Sequence, residues 1–124
     1  MKRDPDLIRK LMLRLEEAPA STVMQGSDMR DIEPDDARLV EHLQLLLDED
    51  FIEGNNAGGW EVNAEAFIIQ RVTSAGHDFI DAIRDDTIWE KTKDKVAKVG
   101  GSVSLGTLTE IATSIVRAVL GLGA

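Results

Sequence analysis

The chain has 124 residues, 43% of them hydrophobic and 30% charged, with a formal net charge of −9 and no cysteine. That length and apolar content suffice for one domain with a real core, and the missing thiols exclude a disulfide framework, a thiolate zinc site and a cysteine nucleophile. Residues 1–86 carry 9 Lys+Arg against 20 Asp+Glu, net −11, whereas residues 87–124 carry 5 against 3, net +2; an acidic body of this kind repels phosphate backbones, so any nucleic-acid contact has to be local.

The opening Met1-Lys2-Arg3-Asp4-Pro5-Asp6 is charged, and neither a signal peptide nor a membrane span is expected from it, which points to the cytoplasm. Asp4 before Pro5 is a helix start, because the carboxylate can accept an orphan N–H and proline has none to lose. Leu7, Ile8, Leu11, Met12 and Leu15 fall on one stripe until about Ala18, and Pro19 stops the run. Thr22-Val23-Met24 reads as a brief strand. Pro34 with Asp35 and Asp36 opens a second helix, with Leu39, Val40, Leu43, Leu46 and Leu47 at helical spacing.

Phe51-Ile52 reads as a strand that ends in the turn-forming run Gly54-Asn55-Asn56-Ala57-Gly58-Gly59, with Trp60 and Val62 beginning the return. Phe67 to Val72 is the clearest strand. Thr73 caps a helix from about Ser74 to Asp85, with Phe79, Ile80 and Ile83 inward. Two further helices are expected, about Thr87 to Val99 and Leu105 to Leu120, separated by Gly100-Gly101. The last is strongly apolar through Leu108, Ile111, Ala112, Ile115, Val116, Val119 and Leu120, so it must bury much of its surface, either on its own body or against a partner.

Helix, short strand, helix, hairpin, helix is the order of a winged helix. Two stretches resemble a group of small bacterial and prophage winged-helix proteins of unknown function related to the YjcQ family: Glu41-His42-Leu43-Gln44-Leu45-Leu46-Leu47-Asp48-Glu49-Asp50-Phe51-Ile52-Glu53-Gly54, and the run from Arg71-Val72-Thr73-Ser74-Ala75-Gly76-His77 to Ile88-Trp89. The N-terminal nine residues and the Gly100 to Leu105 junction fit as well. The resemblance implies an α+β, mostly α fold: a winged-helix-like body over 1–86 and a C-terminal helical extension over 87–124. It implies no catalytic or binding residues. One departure bears on function: only one clear helical segment lies between Met24 and Phe51 where a helix-turn-helix has two, and the first of the pair is expected to shrink to a turn around Asp28 to Glu33.

From Pro34 to Asp50 there is one base, Arg38, against Asp35, Asp36, Glu41, Asp48, Glu49 and Asp50, net −5, which favours a core or protein-facing helix over a DNA-reading one. The Gly54 to Gly59 loop lacks the cation a minor-groove wing inserts. His42 and His77 have no local metal-binding spacing and read as structural or surface groups. The pairs Asp35/Asp36, Asp48/Asp50 and Asp85/Asp86 read as solvated acids, not acid–base or magnesium sites. No cofactor, metal or catalytic activity is expected.

The candidate interaction surface comprises Trp60 at the hairpin rim, the face formed by Lys91, Lys95 and Lys98 with Lys93 nearby, and Leu108, Ile111, Ile115 and Val119 on the last helix. The leading expectation is a non-catalytic interaction module binding a protein partner, with a homodimer through the last helix as one arrangement and prophage association as context. A DNA-binding regulator, and an acidic inhibitor competing for a partner's nucleic-acid site, are the alternatives.

Overall fold

The computed structural model describes residues 2–59 and 61–122. The protein is a mostly helical α+β structure with five helices and a three-stranded antiparallel sheet. In chain order the elements are α1 (Pro5–Glu16), β1 (Met24–Gln25), α2 (Asp36–Asp48), β2 (Ile52–Asn56), β3 (Phe67–Val72), α3 (Ser74–Ile83), α4 (Asp86–Lys98) and α5 (Leu105–Val119). Short 3-10 turns at Gly26–Met29 and Ala64–Ala66 join them. The chain forms two compact units, Met1–His77 and Asp78–Ala124.

In the first unit α1 starts where the Asp4-Pro5 pair predicts: the Asp4 carboxylate accepts the Leu7 N–H at 3.2 Å, with proline in the first turn. Leu7, Ile8, Leu11, Met12 and Leu15 are all buried. The helix that would precede α2 in a helix-turn-helix is a single 3-10 turn over Gly26–Met29, followed by turns as far as Glu33. Asp35 caps α2 by accepting the Ala37 N–H at 3.0 Å. The inward stripe of α2 is Leu39, Val40, His42, Leu43 and Leu46, with Leu47 only half-buried.

The sheet order is β1-β3-β2, and β3 is the strand around which it is built. Phe67 and Ile69 face the core, and a bulge then leaves Gln70 without a partner on β2, because Glu53 pairs Arg71 while Gly54 pairs Ile69. The extra residue resets the two-residue period, so Val72 is buried and Arg71 faces solvent. This bulge also corrects the sequence reading of the hairpin. Gly54, Asn55 and Asn56 are strand, paired with Ile69, Ile68 and Phe67, and the turn begins only at Ala57. Glycine is required at 54 for close approach, since a Cβ there would lie 2.0 Å from the Ile68 carbonyl oxygen. The return strand begins at Phe67; Val62 is an exposed loop residue, and Trp60 lies outside the described residues.

Thr73 caps α3 as expected: its Oγ1 accepts the Gly76 N–H at 3.1 Å and donates to the Asp50 carbonyl. Gly76 lies where a Cβ would meet the Phe51 carbonyl oxygen at 2.2 Å, so α3 begins pressed directly onto the start of the hairpin. In the second unit α4 and α5 pack together. Ile88, Trp89, Thr92 and Val96 on α4, and Leu105, Leu108, Ala112 and Ile115 on α5, are buried. The turn between them closes with Gly101 N–H donating to the Val96 carbonyl at 3.0 Å and Gly100 at φ +102, a left-handed helix stop. No helix among the described residues is long and apolar enough to cross a membrane.

Candidate interaction surfaces

The helix that would read bases in a winged helix is α2, and its single cation is already engaged. Arg38 Nε donates to Glu33 at 2.7 Å, and its guanidinium pairs with Asp4, the residue that caps α1. With Arg38 held against the body, the exposed charges of α2 and its end are Asp35, Glu41, Asp48, Glu49 and Asp50. Beneath the Arg38 pair His42 is fully buried, its Nδ1–H donating to the Arg38 carbonyl at 2.8 Å and its Nε2 accepting the Asp4 N–H at 2.9 Å. It is the neutral imidazole linking two helices. Its 38-residue reach back to Asp4 carries no local signal in the sequence.

The hairpin likewise presents no free cation. Between Glu53 and Gln70 the sequence has no Lys or Arg, and Arg71 makes a two-pronged pair with Glu53 across the strands, at 2.9 and 2.7 Å. Arg30 grips Asp36 in the same way, at 2.9 and 2.8 Å, and reaches Glu65 at 3.4 Å, while Arg14 meets Asp31 at 2.7 Å. The hydrogen bond from its arginine holds each of the Glu53, Asp36 and Asp31 carboxyls below the usual range. Those acids are therefore anions tied into ion pairs, the reverse of a general acid. Among the described residues no group of His, Asp and Glu is disposed to hold a metal ion.

The sequence candidates separate in the structure. Lys91, Lys95 and Lys98 are exposed along one face of α4, whereas Lys93 is half-buried, 5.8 Å from the Trp89 ring centre and 3.2 Å from Glu90. On α5, Leu108 and Ile115 are in the buried stripe and Ile111 is half-buried, so of that candidate set only Val119, 63% exposed, stands on the surface. Trp60 lies outside the described residues. His77 is exposed.

Sequence reasoning missed a trough within the second unit. Asp78, Asp81 and Ala82 of α3 face Thr109, Thr113 and Val116 of α5 across one cleft of about 400 Å³. A second of about 630 Å³ continues it past Val116 to Val119 and Leu120, closed by Thr87, Ile88 and Lys91 of α4. The two share Asp81 and Val116. The apolar spacing of α5 could have signalled it, since Val116, Val119 and Leu120 lie off the stripe that the buried Leu108, Ala112 and Ile115 define.

Residues 2–102 match the family described as "Hypothetical protein (DUF2513)". The chain belongs to this family. A relative in Haemophilus influenzae, an "Uncharacterized protein", is 31% identical over 123 residues, covering 97% of this chain and 99% of its own. The DUF2513 match ends before α5, but the alignment with the Haemophilus protein spans nearly both chains. No solved structure matches.

Proposed function

We propose that this DUF2513 protein is a non-catalytic interaction module with a winged-helix-like body, related to the YjcQ-type proteins of bacteria and their prophages, and that it binds a protein. The order of α1, β1, the Gly26–Met29 turn, α2, the β2–β3 hairpin and α3 supports the winged-helix reading. The observation that carries the protein-binding reading is the engagement of Arg38 by Glu33 and Asp4. Base readout needs side chains free to enter a groove and cations beside them for the phosphates. Here α2 offers carboxylates, on a body whose net charge is −11 over residues 1–86 (9 Lys+Arg against 20 Asp+Glu).

The same charge suits an acidic inhibitor that occupies a basic, nucleic-acid-binding surface of its partner. Capture tests both. The immobilised full chain, incubated with nuclease-treated lysate of a host bacterium, is expected to retain a discrete protein; release of that protein by added nucleic acid identifies the inhibitor form. Retention that disappears with nuclease treatment would count against the reading.

A DNA-binding regulator is the second reading, and the exposed Lys91, Lys95 and Lys98 face favours it. In a dimer two such faces would form a local basic strip. Replacing the three lysines by glutamate abolishes DNA retention if this reading holds and changes nothing if it does not.

A further inference from the structure

We propose that β3 takes up an extended segment of the protein partner as a further short strand, in a slot beside β1 that the chain's own strand leaves open. The inference rests on the protein-binding reading above and gives the form of the partner's contact.

The slot exists because the two neighbours of β3 differ in length. β2 pairs with it from Phe67 to Val72, whereas β1 reaches only Ile68 and Ile69. Continued in the same register, Val23, Thr22 and Ser21 would face Gln70, Arg71 and Val72, and Thr22 and Val23 are β-branched residues suited to a strand. The chain turns away instead. Ser21 lies at φ +63, the Thr22 N–H donates to the Pro19 carbonyl at 3.2 Å, and Val23 is left 59% exposed. Between this turn and the end of β3 is a cavity of about 230 Å³, lined by Leu15, Pro19 and Ser21 as well as by Gln70, Arg71 and Val72.

Backbone chemistry selects the occupant. The Thr73 N–H donates to the Phe51 carbonyl at 3.0 Å, on the β2 side, so alternation along the strand turns the N–H and C=O of Val72 to the β1 side. There the Arg71 guanidinium reaches the Val72 oxygen at 3.4 Å, and the Val72 N–H has no partner among the described residues. A donor and an acceptor on one residue, continuing the ladder past Ile69, are matched by the N–H and C=O of one residue of an extended chain. From Gln70 to Val72 the open edge is about 10 Å long, and the cavity beside it receives a side chain of the added strand. A second copy of this chain would have to bring two bodies of net −11 over residues 1–86 (9 Lys+Arg against 20 Asp+Glu) together across this short edge.

The test uses the full chain and two fluorescein-labelled peptides: Lys-Thr-Val-Thr-Val-Lys, and the same sequence N-methylated at both Thr and both Val, which keeps charge and side chains but removes the strand's donors. Fluorescence anisotropy is expected to show the unmethylated peptide binding about tenfold or more tighter. In the free chain, amide hydrogen exchange followed by NMR is expected to show the Val72 N–H exchanging about tenfold or more faster than that of Arg71, which pairs with Glu53. Adding the unmethylated peptide is expected to slow Val72. Ala20→Trp, at an exposed turn position that lines the cavity, is expected to plug the slot and abolish binding, and Ala57→Trp, in the exposed hairpin turn, is expected to leave it unchanged. Equal binding of the two peptides, or none by either up to about 1 mM, would overturn the proposal. So would a Val72 N–H as protected in the free chain as that of Arg71, or an equal loss from Ala57→Trp. Light scattering that shows a dimer dispersed by Ala20→Trp would overturn it too, by making the occupant a second copy. If wild type and Ala20→Trp capture the same lysate protein equally well, the slot assignment falls while the interaction module stands; if neither captures any, the broader reading falls.

Discussion

His42 Nε2 accepts the backbone N–H of Asp4 at 2.9 Å, from a side chain with no exposed surface. The contact ties the first turn of α1 to the inward face of α2, directly under the pair that Arg38 makes with Asp4. His42→Leu keeps the volume but leaves the Asp4 N–H without its acceptor, a loss of about 1–3 kcal/mol in unfolding free energy. Urea denaturation followed by far-UV circular dichroism measures it, and a change below about 0.5 kcal/mol would mean that the bond is energetically idle.

Two glycines predict opposite signs for the same substitution. A Cβ at Gly76 would sit 2.2 Å from the Phe51 carbonyl oxygen, whereas at Gly106 its nearest contact would be Ser104 Oγ at 3.9 Å. Gly76→Ala therefore costs about 1–3 kcal/mol despite better helix propensity, because backbone must move. Gly106→Ala, in the open first turn of α5, stabilises by about 0.5 kcal/mol. Thermal unfolding of the two variants should move in opposite directions from wild type.

Stability at acid pH should follow the arginine pairs. Glu53, Asp36 and Asp31 have lowered carboxyl pKa values in the folded chain, chiefly through hydrogen bonds from Arg71, Arg30 and Arg14. A lowered folded value means that the stabilisation is complete above the unfolded carboxylate range, near about pH 4, and is lost as pH falls through the folded values. Arg30→Ala should flatten that acid limb by removing the contribution of Asp36, while the curve near neutrality keeps its shape. An acid limb unchanged by R30A would show that this pair does not contribute.

Arg38→Ala is expected to lower stability by about 1–2 kcal/mol, because it leaves Glu33, 17% exposed, and Asp4 facing each other without their shared cation. Protein capture should survive wherever the variant is folded. Were Arg38 a base reader, the larger effect would be on DNA retention.

Much of the backbone plan was legible because it rests on local chemistry. Asp4 with Pro5, the stripe from Leu7 to Leu15, the apolar run Phe67 to Val72 and the Thr73 cap each act within a few residues, and each stands where its pattern predicts. Gly54 to Asn56 misled because turn-forming residues were read by composition, whereas their place in β2 is set by pairing across the bulge at Gln70. The site was harder to read for the same physical reason. That Arg38 is spent on Glu33 and Asp4, that Leu108 and Ile115 are buried while Val119 is not, and that Asp78 and Asp81 stand opposite Thr113 and Val116, are all consequences of which faces meet.

The central claim is that the protein meets protein and not DNA, and titration of the purified chain against mixed-sequence duplex DNA by fluorescence anisotropy, at low and at moderate salt, tests it most directly. The account predicts no saturable binding even at low salt, since α2 and the hairpin present carboxylates to the phosphates. Micromolar or tighter binding that falls steeply with salt, and that disappears when Lys91, Lys95 and Lys98 are replaced by glutamate, would contradict it.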